Sequence, residues 1–138
     1  MIVIDDRVQF GLDENVLQPI YASLTDKDVE LILTDDAEIE QLNAAYRGID
    51  KATDVLSFPL EEMPGAPLGT IVISIDKVRE KALELGHAPQ EELQLLFIHG
   101  LLHLLGYDHE SDNGEMRQKE AALIEAFGLP DSLIIRNE

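Results

Sequence analysis

The feature that most constrains this chain is a fifteen-residue run from Leu93 to Tyr107 without a single formal charge, in which leucine, isoleucine and phenylalanine are interrupted by Gln94, His99 and His103. It falls short of the roughly 20 apolar residues that span a bilayer, and the histidines break it further, so a membrane span is not expected. Pro89 suits the first turn of a helix and Gly106 its stop, which predicts a helix from about Pro89 to Leu105. Leu93, Leu95, Leu96, Phe97, Ile98, Leu101, Leu102, Leu104 and Leu105 leave it hardly any polar side. A helix of that kind is stable only at the centre of a core, so the rest of the chain must wrap it.

The remaining pattern supplies the wrapping. Ile2, Ile4, Val8 and Phe10 suggest an opening strand, irregular near Asp5 and Asp6, and a helix follows from about Asn15 to Leu24. Val29, Leu31 and Leu33 alternate with more polar neighbours in a second strand. Asp35 or Asp36 can cap a helix carrying Ile39, Leu42, Ala45 and Tyr46 at helical spacing, with Arg47 at its exit and Gly48 ending it. Thr53 to Phe58 and Thr70 to Ser74 read as neighbouring strands joined by a turn-rich connection holding Pro59, Pro64, Gly65, Pro67 and Gly69. Helices are expected over Ile75 to about Gly86 and from about Asn113 to Phe127. This order predicts an α+β or mixed α/β fold, with one mixed sheet of about four strands packed by helices around the central one. At 138 residues, without repeat or linker, the chain is expected to be one domain over 1–138.

Composition narrows the chemistry. There are no cysteines, which excludes disulfides, thiol catalysis and iron–sulfur clusters, and leaves His, Asp and Glu to hold any metal. The first ten residues carry Asp5 and Asp6 and no early cationic stretch, so they do not read as a secretory signal and a cytoplasmic location is expected. The net charge of −18 repels nucleic acid and anionic lipid at long range. Half of the ten basic residues, Arg47, Lys51, Lys77, Arg79 and Lys81, nevertheless fall in about a quarter of the chain and could form a local basic surface.

The chemistry-bearing motif lies inside the apolar helix: His99-Gly-Leu-Leu-His103-Leu-Leu-Gly106-Tyr-Asp-His109. Residues four apart on a helix lie about 40° apart around it and about 6 Å along it, so His99 and His103 can converge on one ion. Gly106 can adopt the left-handed conformation that turns the chain and returns His109 to the same point. A lone histidine in an apolar helix is usually a hydrogen-bonded core residue. Three at this spacing, buried without an ion, would leave nitrogens needing partners at about 1–3 kcal/mol each. Three imidazoles with a free fourth position suit one catalytic Zn²⁺ open to water or substrate. Gly100 stands where the general-base Glu of a metalloprotease would be, which points away from peptide hydrolysis and toward a charged ester. Arg47 is the candidate for phosphate, whose geometry the guanidinium fork matches.

Three segments together resemble the YbeY family of metal-dependent endoribonucleases, which act in bacterial ribosomal RNA maturation. They are Leu42-Asn43-Ala-Ala-Tyr46-Arg47 with Thr53-Asp54-Val55-Leu56-Ser57-Phe58-Pro59; Leu68-Gly69-Thr70-Ile71-Val72-Ile73-Ser74; and His99 to His109. With their connections they span about residues 40 to 125. The resemblance implies a compact α+β fold and a single-strand-preferring RNA hydrolase, with zinc on His99, His103 and His109 and Arg47 in the RNA site. It further implies ribosomal RNA as substrate, in the context of the small ribosomal subunit, with ribosomal proteins or assembly factors as possible partners; neither DNA nor membrane is expected. Thr70 departs from the pattern, which leads one to expect an Asp that would shape the groove floor.

Other residues carry two readings each. Asp54 can orient a ligand or Arg47, or cap a turn. Asn43 and Ser57 can touch RNA or serve as ordinary hydrogen-bonding residues. Asp108 can support the metal site or shape the turn. Tyr46, Phe58 and Tyr107 can stack bases or pack in the core. Lys77, Arg79 and Lys81 can be a solvated face or a track for an RNA backbone. The acidic residues from Glu110 to Glu125 read as a solvated helix, and His87 as a helix-terminal histidine. Two functions remain beside the nuclease: a divergent metallopeptidase, and a non-catalytic, metal-stabilised ribosome-assembly module.

Overall fold

In the computed structural model, which describes residues 1–60 and 65–130, the apolar segment is one helix, Pro89–Leu104, here α4 in chain order. Leu93, Leu96, Phe97, Ile98, Leu101 and Leu102 are fully buried, so the absence of a polar side is matched by the absence of a solvent face. The main chain of Ala88 is held by the Glu91 carboxylate at the start of this helix, where Pro89 has no N–H to satisfy.

A four-stranded sheet packs on α4. β1 (Ile2–Asp6), β2 (Val29–Thr34) and β4 (Gly69–Ser74) run parallel, and β3 (Val55–Pro59) closes the sheet antiparallel to β4, in the order β1-β2-β4-β3. The register sets Leu31 between Ile4 and Ile71, and Ser57 opposite Ile71. The period of two then divides β4. Ile71 and Ile73 face the large core with α4, while Val72 turns to the other face and packs with Leu56 and Ile39.

Ile39 belongs to α2 (Asp36–Arg47), the helix that covers that second face. α1 (Glu14–Leu24), α3 (Ile75–Leu85) and α5 (Glu115–Phe127) contribute Leu17, Ile20, Val78, Met116 and Leu123 to the core around α4. Asp13, Asp35 and Ser74 cap α1, α2 and α3 with side-chain oxygens that accept main-chain N–H groups. The architecture is α+β with a mixed sheet, as the element order predicts.

The opening strand is shorter than its hydrophobic pattern. It stops at Asp6, whose carboxylate accepts from the N–H groups of Val8, Phe10 and Gly11 and folds the chain into a loop. Val8 and Phe10 still pack against the core, but from that loop, which is why a pattern of four apolar residues imitates one long strand. The turn-rich connection lies between β3 and β4 as expected; its Pro64 falls outside the described residues. Among the described residues, no helix is long and apolar enough to cross a membrane.

Candidate metal centre and groove

The three histidines come together. One ring nitrogen from each of His99, His103 and His109 lies within 4.8 Å of the others, and the ring centroids are 4.7, 5.6 and 5.7 Å apart. His99 and His103 are partly buried on the last two turns of α4, and His109 is exposed on the loop beyond it.

The end of α4 explains how His109 returns. The N–H of Tyr107 reaches the carbonyl of Leu102, the N–H of Gly106 reaches that of His103, and Gly106 has φ of +98°. This paired bonding pattern ends a helix and reverses the chain at a left-handed residue. Asp108 then fixes the following turn. Its two carboxylate oxygens accept from the Glu110 N–H and the Ser111 hydroxyl, and those bonds hold its carboxyl below the usual range. Of its two readings, the turn is the one the bonds describe.

The same reversal fixes the state of a ligand. His103 Nδ1 lies 3.0 Å from the carbonyl oxygen of Tyr107, which can only accept, so the proton is on Nδ1 and the Nε2 lone pair faces inward. His99 Nδ1 lies 3.3 Å from the carboxylate of Glu120 and is set the same way. The two Nε2 atoms are then 3.2 Å apart with lone pairs toward each other. Such an arrangement is repulsive until a cation sits against both. Burial, reinforced by the neighbouring His99, pushes the pKa of His103 down despite its bond to Tyr107, which favours the neutral, ligating form. The donor set therefore fits a divalent cation, with acceptors behind the Nδ1 atoms of His99 and His103 and their Nε2 atoms on the inner side.

Glu120 is the residue that sequence reasoning missed. It is fully buried on α5, not part of a solvated face. The available signal was its spacing: Met116, Glu120 and Leu123 form the buried stripe of that helix, so one carboxylate sits among core positions. His87 follows the C-terminal glycine of α3 and is paired at 2.9 Å with the buried carboxylate of Glu92, away from the metal centre.

Beside the histidines lies a cavity of about 590 Å³, lined among others by Arg47, Asp54, Ser57, Tyr107 and Asp108. Arg47, at the end of α2, forms no ion pair among the described residues. Asp54 accepts from the N–H of Val55 and the hydroxyl of Thr53, so it caps the strand start while facing the cavity. Ser57 donates its hydroxyl to the carbonyl of Gly100 at 2.9 Å, tying β3 to α4 between the two helical histidines.

Asn43 is placed differently. It is 2% exposed, lies outside the lining, and donates to the Lys51 carbonyl, bracing the loop between Arg47 and Asp54 from below. Thr70 bonds Glu30 on β2 and also lies outside the lining, so the groove floor does not depend on that position. Of the aromatics, Tyr107 lines the cavity, whereas Tyr46 is largely exposed and rests edge-on against Phe58 at 5.2 Å. The cations of α3 are engaged within the fold: Lys77 with Asp36 and Glu80, Lys81 with Glu84, and Arg79 over the ring of Phe10. They are a self-paired face, and none of them lines the cavity.

Comparison with known proteins places the chain among relatives. The sequence model of the family described as Endoribonuclease YbeY matches residues 8–128. Proteins named Endoribonuclease YbeY are 63% identical in Nautilia profundicola over 138 residues, covering 100% of this chain and 99% of the relative, and 57% identical in Sulfurimonas denitrificans with the same coverage. One from Campylobacter jejuni is 53% identical over 137 residues, covering 99% of this chain and 97% of its own. Among solved structures, the solution structure of TM1509 from Thermotoga maritima superimposes with a TM-score of 0.63 at 34% identity, covering 92% of this chain and 89% of the other. A match of that extent at both levels leaves one assignment: the chain belongs to the Endoribonuclease YbeY family.

Proposed function

We propose that this protein is a zinc-dependent endoribonuclease that hydrolyses phosphodiester bonds of single-stranded RNA. Its setting is ribosomal RNA processing in the cytoplasm, on or near the small ribosomal subunit and its proteins or assembly factors. The observation that carries this reading is the convergence of three imidazoles on the wall of a cavity that also holds an arginine with no ion pair among the described residues. The names of the relatives supply the RNA.

His99, His103 and His109 would hold a divalent cation, which would supply Lewis-acid charge for a phosphate and lower the pKa of water toward neutrality. The chain's own residues do the rest. Tyr107 and Glu120 keep the Nδ1 protons of His103 and His99 outward, so the ligating nitrogens stay available. Arg47, on the cavity wall, offers its fork to a phosphate. Asn43 acts from beneath by holding the loop that carries Arg47 toward Asp54. Asp54 orients substrate or Arg47 from the cavity wall, and Ser57 fixes the β3 wall against α4. Asp108 is a poor general base, since both its oxygens are committed to the turn and those bonds lower its carboxyl pKa and hence its basicity.

The peptidase alternative is opposed by sterics as well as by sequence. A Cβ at Gly100 would stand 2.9 Å from Ile71 Cγ2 and 3.2 Å from Ser57 Oγ, so the sheet leaves no room there for a glutamate. The assembly-module reading requires the histidines to be structural only. Full cellular function of a folded His103→Ala protein would establish it.

Bound metal and cleavage of single-stranded RNA, measured together in wild type, His109→Ala and Arg47→Ala, test the assignment. His109→Ala is expected to lose both properties, and Arg47→Ala to lose cleavage while keeping the ion. Cleavage that survives complete chelation contradicts the reading. Mapping the product ends separates the nucleophiles, because a 2′,3′-cyclic phosphate requires attack by the substrate 2′-hydroxyl.

A further inference from the structure

The groove wall opposite the histidines is a strand edge. Among the described residues β3 is the last strand of the sheet and pairs only with β4. The bonds Ser74 N–H to Asp54 carbonyl and Leu60 N–H to Leu68 carbonyl flank the ladder and set its phase. Residues 54, 56, 58 and 60 bond to β4, so Val55, Ser57 and Pro59 turn their main-chain groups outward. That edge is trimmed at both ends. The Val55 N–H is taken by the Asp54 carboxylate at 2.8 Å, and Pro59 has none. Among the described residues one outward donor of this strand remains, the Ser57 N–H, with the Ser57 carbonyl on the same side. The Ser57 hydroxyl is already committed to Gly100.

We propose that the main-chain N–H and C=O of Ser57 form a nucleobase subsite that reads the Watson–Crick edge of one unpaired base of the RNA. This rests on the nuclease reading above and adds where a single strand is told from a duplex. A docking peptide strand needs donors and acceptors repeating along several residues, and this edge offers a single donor. One base needs just one donor and one adjacent acceptor, and every nucleobase presents that pair on its Watson–Crick edge. In a duplex that edge is occupied by the partner base, so paired RNA has nothing to offer Ser57. The subsite opens on the same cavity as Arg47, His99 and His103, which places a base and a phosphate of one strand within one groove.

The test uses the full-length metal-loaded protein and a single-stranded oligoadenylate in which one adenine at a time is replaced by N1-methyladenine. Methylation at one fixed position relative to the cut is expected to lower kcat/KM by about tenfold or more, with the other positions near unity. Replacing Ser57 by its α-hydroxy acid, which removes the N–H and keeps the side chain, is expected to abolish that position dependence. Uniform tolerance of methylation overturns the subsite while leaving the nuclease standing, as does an unchanged methylation profile in the ester protein. Absence of any RNA cleavage or binding overturns both. Protection of the Ser57 amide from hydrogen exchange by an extended peptide but not by oligoadenylate assigns the edge to protein and also overturns it.

Discussion

Glu120 shows how one side chain can govern a centre that it does not enter. A carboxylate behind His99 fixes the ring's tautomer and lends it basicity, a type of contact whose loss typically weakens metal binding 10–100-fold. Glu120→Gln is therefore expected to lower zinc affinity by about tenfold in chelator competition, with the melting temperature of the metal-free protein monitored alongside. Equal affinity in the two proteins removes the role. Asp6 makes a second residue-scale case. Burial works against its charge, yet the N–H groups of Gly11, Phe10 and Val8 outweigh it and hold the carboxyl below its usual range. A depressed folded pKa means that this stabilisation is present above the unfolded value and is lost as pH falls through the folded one. Asp6→Asn is expected to cost about 1 kcal/mol near neutrality, with the gap to wild type closing below about pH 4 in denaturant titrations. The spacing of Met116, Glu120 and Leu123 hints that Glu120 is buried, but neither its contact with His99 nor the loop at Asp6 shows in the sequence. A carboxylate on a helix that also carries Glu115, Arg117, Lys119 and Glu125 looks solvated until packing shows its face, and Asp6 sits in a pattern that alternates like a strand.

Elements were more legible than residues, and for a physical reason. α4 combines a proline start, a glycine stop and ten buried positions, so local and tertiary preferences agree and its limits hold to a residue. β1 failed at its far end because Val8 and Phe10 serve the core from a loop, and periodicity does not distinguish a strand from a well-anchored bend. The histidine turn was legible because Gly106 is required in chemical terms, and its φ of +98° bears that out. A Cβ there would meet nothing within 4 Å, so the cost of Gly106→Ala is confined to the backbone, about 1 kcal/mol. Because Tyr107 and His109 both follow this bend, the variant is also expected to bind zinc more weakly. A drop in melting temperature with unchanged zinc affinity would separate the turn from the site.

At the scale of the molecule, net charge and local site pull in opposite directions. A chain of −18 whose α3 cations are paired internally has little long-range attraction for RNA, and Arg47 stands nearly alone in the groove. Single-strand binding is therefore expected to depend weakly on salt, with a log–log slope no steeper than about −1, and Arg47→Ala should flatten it by most of that amount. A steep slope would reveal a cationic surface elsewhere. The central position of α4 has a different consequence. Its leucines hold the helix, and hence two of the three imidazoles, through contacts that do not involve an ion. On the proposed reading, folding would then precede loading: a cell short of the metal would accumulate intact but idle copies, ready to start work as soon as supply returns, without resynthesis or refolding.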